Sequence, residues 1–197
     1  MNKGRLEAFS DGVIAILITI MVLELKVPHG ADLLALRPMV PVFLAYVLSF
    51  VILGIYWNDH HHMLHATDRI NGKILWANLH LLFWLSLIPA VTAWIGETSS
   101  APVPTAIYGG VLLMAGFAYY VLTRTLLGLL GPHSTLAAAV GKDVKGKISV
   151  VLYAAAIPLA FVNRWIADAI YVLVALMWLV PDRRIESKLN ASQNPIA

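Results

Sequence analysis

The stretch Arg5-Leu6-Glu7-Ala8-Phe9-Ser10-Asp11-Gly12-Val13-Ile14-Ala15-Ile16-Leu17-Ile18-Thr19-Ile20 decides how the chain is read. From Gly12 to Leu23 every residue but Thr19 is small or apolar, yet Ser10 and Asp11 open the same run. A run of about 20 such residues is what a helix needs to cross a bilayer. A carboxylate inside a spanning helix is costly unless it meets water or a partner, so Asp11 marks either a functional position or a structural latch. At ~100° per residue, Phe9, Val13, Ile16, Ile20 and Leu23 share one stripe, with Ala15 and Thr19 to one side of it. Gly12, Ala15 and Thr19 form a small-residue edge along which copies of this helix can approach closely. The plain alternative is that the stripe faces lipid or the protein's own core.

Outward from this helix, the rest of the chain has the same character. Of its 197 residues 59% are hydrophobic and 13% charged, and the mean hydropathy of +0.77 is far from that of a soluble domain. Six apolar stretches stand out: Leu6–Leu25, Met39–Trp57, Ile74–Ile95, Thr105–Leu130, Ile148–Val162 and Ile166–Val180. Their continuity predicts helices and excludes the dyad alternation of a lipid-facing barrel strand. The expected fold class is therefore an all-α membrane protein with six transmembrane helices in one domain, residues 1–181, followed by a polar tail, 182–197. The last two stretches are joined by Asn163-Arg164-Trp165 and read as a helical hairpin with Asp168 near its turn, while Pro89 and Pro158 are candidate breaks in the third and fifth helices. Arg5, Glu7 and Asp11 interrupt what would be the apolar core of a cleavable signal, so the first helix is expected to be retained.

With the amino terminus in the cytoplasm, eleven of the 14 lysines and arginines fall on that side, and only Lys26, Arg37 and Arg164 on the other. The positive-inside rule then places both termini in the cytoplasm of a multi-pass cell-membrane protein. The basic residues are spread over several loops without forming a stripe, which argues against a nucleic-acid partner. The absence of cysteine excludes disulfides, thiolate metal sites and a cysteine nucleophile.

The run Arg5-x-x-x-Phe9-Ser10-Asp11-Gly12, followed by Ile16 and Thr19, resembles the signature of the transmembrane protein 175 family. Trp57-Asn58-Asp59-His60-His61, Leu75-Trp76-Ala77-Asn78 and Pro89 resemble the family's next blocks, in order. The resemblance covers the first half of the chain by motif and the second half by hydropathy. It implies a potassium-permeable cation channel in which the first helices of the assembled subunits line the pore and bulky aliphatic side chains replace a carbonyl selectivity filter. Carried onto this chain, it implies a constriction at Ile16 with Ile20 and Leu23 as further rings. Animal members hold two six-helix repeats per chain, so a single repeat implies a homotetramer. No Thr-Val-Gly-Tyr-Gly occurs here, in keeping with modest selectivity at a ring that offers an ion no oxygen ligands. Thr19 either faces that pore or satisfies a backbone carbonyl one turn back.

In this topology Ser10, Asp11, Trp57, His60, His61 and Asn78 lie at similar depth, with Arg5 near enough to compensate charge in the same chain or the next. Such a cluster either latches the pore helix by burying Asp11 among partners, or leaves Asp11 in a cytoplasmic vestibule where it concentrates cations. His61 and His65 are one helical turn apart, but no cysteine or glutamate near them completes a metal site, and pH sensing is the more plausible role for the run His60–His65. No metal or cofactor is expected. The competing function is a secondary transporter or proton-coupled exporter, which requires broken helices around a polar midplane site. An intramembrane enzyme is disfavoured because Asp11 and Asp168 fall on opposite sides of the membrane and no paired carboxylates or His-Glu cluster remain.

Overall fold

A computed structural model describes residues 3–28, 30–67, 69–141 and 143–179. The expected tail, 182–197, and the domain boundary before it lie outside the described residues. Helix α1 (Lys3–Ile20) runs into a short 3-10 turn, Met21–Glu24, and after a linker a second 3-10 segment, Leu33–Met39, leads into α2 (Val40–His65). Then follow α3 (Gly72–Ser86), α4 (Ile88–Glu97), α5 (Pro102–Leu130), the short α6 (Thr135–Val140), α7 (Val144–Val162) and α8 (Arg164–Leu179). The described residues form helices and their connections, with no strand.

Five segments are long and apolar enough to cross a membrane: Lys3–Glu24, Leu33–His65, Gly72–Glu97, Pro102–Leu130 and Val144–Val162. The sixth expected span is α8, whose 16 described residues extend ~24 Å at ~1.5 Å per residue, short of the ~30 Å hydrocarbon core. It packs against α7 as the expected hairpin, turned at Asn163, whose Oδ1 accepts from the Trp165 amide at 3.0 Å.

The end of α2 and one of the two candidate proline breaks differ from the sequence expectation, while the other break is present. Helix α2 continues past Trp57 to His65, so the histidine run is helical; a polar end that projects from the hydrocarbon keeps its ladder because solvated side chains do not compete with it. The third span breaks between Ser86 and Ile88, with Pro89 in the first turn of α4, where its missing N–H costs nothing. Pro158, by contrast, lies inside an unbroken α7. There α7 packs along α5 and α8, and a membrane helix tolerates the one lost hydrogen bond where neighbouring helices surround it.

Helix α5 is the centre of the bundle, packed against α3, α4, α7 and α8. Its Leu112, Ala115, Ala118, Leu122 and Leu126 are fully enclosed. Small residues set the close approaches, because in lipid helix association relies on packing contact rather than on water expulsion. A Cβ added at Gly96 of α4 stands 2.8 Å from the Val42 backbone of α2, and one added at Gly109 of α5 collides with the Tyr171 hydroxyl of α8. Tyr171 donates to the Thr105 carbonyl at 2.9 Å. Beside it, a hydroxyl chain links α5, α2 and α4. Thr92 spends its hydrogen on the Ile88 carbonyl at 2.7 Å, so Ser49 must donate to Thr92 at 2.7 Å and Tyr108 to Ser49 at 2.8 Å.

Candidate pore helix and its polar anchor

Helix α1 buries Leu6, Ser10, Ile14 and Leu17, a recurrence of three or four residues that turns one face to the bundle, and Met21 extends it. Phe9, Ile16, Ile20 and Leu23 stand on the other face, with Ile16 58% and Leu23 78% exposed. Val13, on the same stripe in the sequence, instead packs half-buried against the core. The Thr19 hydroxyl is exposed on the outer side and lies 3.0 Å from both the Ala15 and the Ile16 carbonyls. Its hydrogen thus serves the backbone while its lone pairs still face outward.

At the amino-terminal end of α1 three helices are tied together. Ser10 donates to the Leu6 carbonyl at 2.9 Å and accepts from Asn78 Nδ2 of α3 at 2.9 Å. The Asn78 Oδ1 meets His60 Nε2 of α2 at 2.7 Å. Since an amide oxygen only accepts, His60 carries its proton on Nε2 in this arrangement. All three side chains are buried, so each polar atom in the relay needs the partner it has. Asn71 starts α3 in the right register by capping the Ile74 amide at 3.0 Å.

Asp11 lies outside this relay. It is half-buried at its edge, where Trp57 Nε1 donates to its Oδ1 at 3.0 Å. Helical rotation by one residue from Ser10 turns its carboxylate out of the α1–α3 seam. Trp57 stacks on His61 with ring centroids 5.8 Å apart, and His61 on His65 at 6.1 Å. These rings are exposed, and no group of three or more metal-ligating side chains is gathered among the described residues. Arg5 makes no ion pair among the described residues; it lines a groove of about 550 Å³ with Phe9, Leu75 and Asn78. Nearby, Lys3 pairs with Glu7 at 3.4 Å and donates to the His65 carbonyl at 3.3 Å, closing α1 onto the end of α2.

The sequence reading did not single out the hydroxyl chain Tyr108–Ser49–Thr92 or the Lys26–Glu97 ion pair at the opposite end, 2.7 Å long. The chain's one available signal was hydroxyls placed mid-run in otherwise aliphatic spans, a pattern with no fixed spacing between helices. The ion pair had none.

A family model described as endosomal/lysosomal potassium channel TMEM175 matches residues 5–89, the segment from α1 into α4 that holds the stripe and the relay. A protein named a potassium channel in Chryseobacterium sp. is 52% identical over 190 residues, covering 96% of this chain and 99% of that one. Another so named in Streptomyces collinus is 33% identical over 90% of this chain and 92% of its own. The crystal structure of a lysosomal potassium-selective channel TMEM175 homolog from Chamaesiphon minutus superposes with a TM-score of 0.78 at 28% identity, covering 90% of this chain and 96% of that one. With full-length relatives of this likeness and the signature residues placed together on α1, α2 and α3, the chain belongs to the TMEM175 family, a family of channels rather than enzymes.

Proposed function

We propose that four copies of this six-helix chain surround a central axis lined by α1, and that the assembly conducts potassium and other monovalent cations across the cell membrane. Both termini are cytoplasmic in this reading. The observation that carries it is the division of α1 into two faces. One face is buried and tied to α3 and, through Asn78, to α2 by way of Ser10, while the other leaves Ile16, Ile20 and Leu23 exposed among the described residues. The names borne by full-length relatives supply the ion. A ring of isoleucines at Ile16 passes an ion only if it keeps much of its hydration shell, and a narrower ring closes the path by dewetting. Selectivity for potassium over sodium is then modest. The Ser10–Asn78–His60 relay holds α1 in place, and Asp11, at the relay's edge, faces the cytoplasmic vestibule with Trp57.

Reconstitution in a planar bilayer under a potassium gradient tests the reading. Ohmic single-channel steps are expected; saturable, gradient-coupled flux without steps favours the transporter, for which the broken third span is the one structural argument. Ile16→Asn places a hydrogen-bonding side chain at the dewetted ring, so conductance should rise and discrimination between potassium and sodium should change. Wild-type values for both in properly assembled protein refute the assignment of Ile16.

A further inference from the structure

Among the described residues, the two most exposed large apolar side chains lie in the linker between α1 and α2. Val27 is 83% exposed, Leu33 85% and Leu34 75%, and Leu36 is exposed beside them. The segment is nevertheless ordered: Asp32 caps the Leu33–Met39 turn by accepting from the Ala35 amide at 3.0 Å.

Its depth can be fixed from its surroundings. Lys26 and Glu97 make an exposed ion pair at the end of α4, and Glu97 holds the Lys26 amine above its ordinary protonation range. Charges so placed mark water. Exposed Trp94 and Trp165 stand at the same end, Trp165 under the Arg164 guanidinium at 4.9 Å, as aromatic and basic residues do at a membrane boundary. The close approach of Gly96 to Val42 puts the start of α2 at this level. The Leu33–Met39 segment therefore lies at the boundary, outside the spanning part.

We infer that this segment is an interfacial anchor seated in the lipid leaflet at the Lys26–Glu97 end, with Val27, Leu33, Leu34 and Leu36 among the upper acyl chains and Arg37 beside the phosphates. Exposed leucines at headgroup level, between the capping Asp32 and Arg37, give the segment an apolar face with charged flanks, as a segment lying in the interface plane requires. The other possible occupant, a second copy, is disfavoured by direction. The exposed stripe of α1 points away from α2, α3 and α4, its neighbours in the chain, whereas the Lys26–Glu97 pair draws the linker over α4. The leucines thus leave the side on which copies of α1 meet, an argument that rests on the proposed central position of α1.

The chain has no cysteine, so single nitroxide labels report cleanly. Leu33→Cys, Leu34→Cys and Leu36→Cys, each at an exposed side chain, are labelled and reconstituted in phosphatidylethanolamine–phosphatidylglycerol vesicles. Accessibility to oxygen is compared with accessibility to an aqueous nickel chelate, with His133→Cys in a loop and Val151→Cys on the exposed face of α7 as references. The expected oxygen-to-nickel ratio at Leu34 is several-fold above that at His133 and approaches that at Val151. A ratio equal to that at His133 overturns the proposal, as does spin–spin broadening between copies at Leu34, which assigns the surface to a second copy. A label at Ile16 reports separately on the central position of α1. Absence of broadening there counts against the pore reading, while the Leu34 ratio still decides the lipid seat.

Discussion

Replacing Asn78 with leucine, close to it in volume, tests whether the relay is held by hydrogen bonds or by shape. In Asn78→Leu, Ser10 keeps its bond to the Leu6 carbonyl and loses only an incoming donor. His60 is worse placed: buried to 1% exposure, it loses the acceptor that was 2.7 Å away. An orphaned buried donor costs about 1–3 kcal/mol, and the lost Ser10 bond adds about 0.6 kcal/mol, the average for such bonds between membrane helices. The single variant should be destabilised by about 1.5–3.5 kcal/mol. If soluble scaling holds, that is a fall of ~3–14 °C in unfolding midpoint for a chain of this size. Adding His60→Leu removes the orphan, so the double variant should recover part of the loss, with a coupling of about 1–2 kcal/mol. Denaturant unfolding in detergent micelles, followed by tryptophan fluorescence on all four members of the cycle, measures this directly. Additive single effects would show that the three side chains merely fill space, and the anchoring role of the relay would fall with that result.

The other expectations follow from single contacts. Thr92→Val leaves the Ser49 hydrogen without an acceptor and should cost about 1–3 kcal/mol, whereas Tyr108→Phe removes a donor only and should cost about 0.5–1.5 kcal/mol in the same assay; the reverse order refutes the donor direction assigned to the chain. Gly109→Ala drives a methyl into the Tyr171 hydroxyl and should cost about 1–3 kcal/mol, partly restored by Tyr171→Phe. Thr105→Val should be neutral or stabilising by thermal melt, because the Thr105 hydroxyl is buried without a partner and its loss orphans nothing. Since the Lys26 amine is held above its ordinary value of 10.5 by Glu97, its contribution is complete below that pH and is lost only as pH rises beyond the folded value. Melting points of wild type and Lys26→Gln should therefore run parallel from pH 6 to 9, and a gap that opens within that range contradicts the exposed pair.

Helix existence was legible because the apolar runs are long and continuous; a span such as Thr105–Leu130 admits no other backbone that satisfies itself in lipid. Ser10, His60 and Asn78 were placed at one depth by topology alone, but only coordinates show that Asn78 is the bridge and that Asp11 is left at the edge. A rotation of ~100° separates Ser10 from Asp11, and sequence does not say which of two adjacent polar residues takes the seam. Val13 illustrates the same limit: it fits the outward stripe by periodicity, yet half of it is taken up by packing. Pro89 and Pro158 look equivalent as residues, yet one stands in the first turn of a new helix and the other inside a continuous one. The linker leucines went unremarked because the second apolar stretch starts at Met39, which leaves Leu33, Leu34 and Leu36 in a loop beside Asp32, Arg37 and Pro38.

The direction of the Tyr108–Ser49–Thr92 chain has a bearing on insulation. A row of hydroxyls through a hydrocarbon interior is a candidate route for proton leakage, since each can accept a proton on one side and release one on the other. Turnover of such a row requires its far end to hand the proton on. Here the last hydrogen rests on the Ile88 carbonyl, an amide oxygen of an intact helix that is too weak a base to relay it, and Tyr171 likewise ends on the Thr105 carbonyl. Both polar rows end within helix-to-helix contacts, so the chain gains internal hydrogen bonds without a route that hands a proton on.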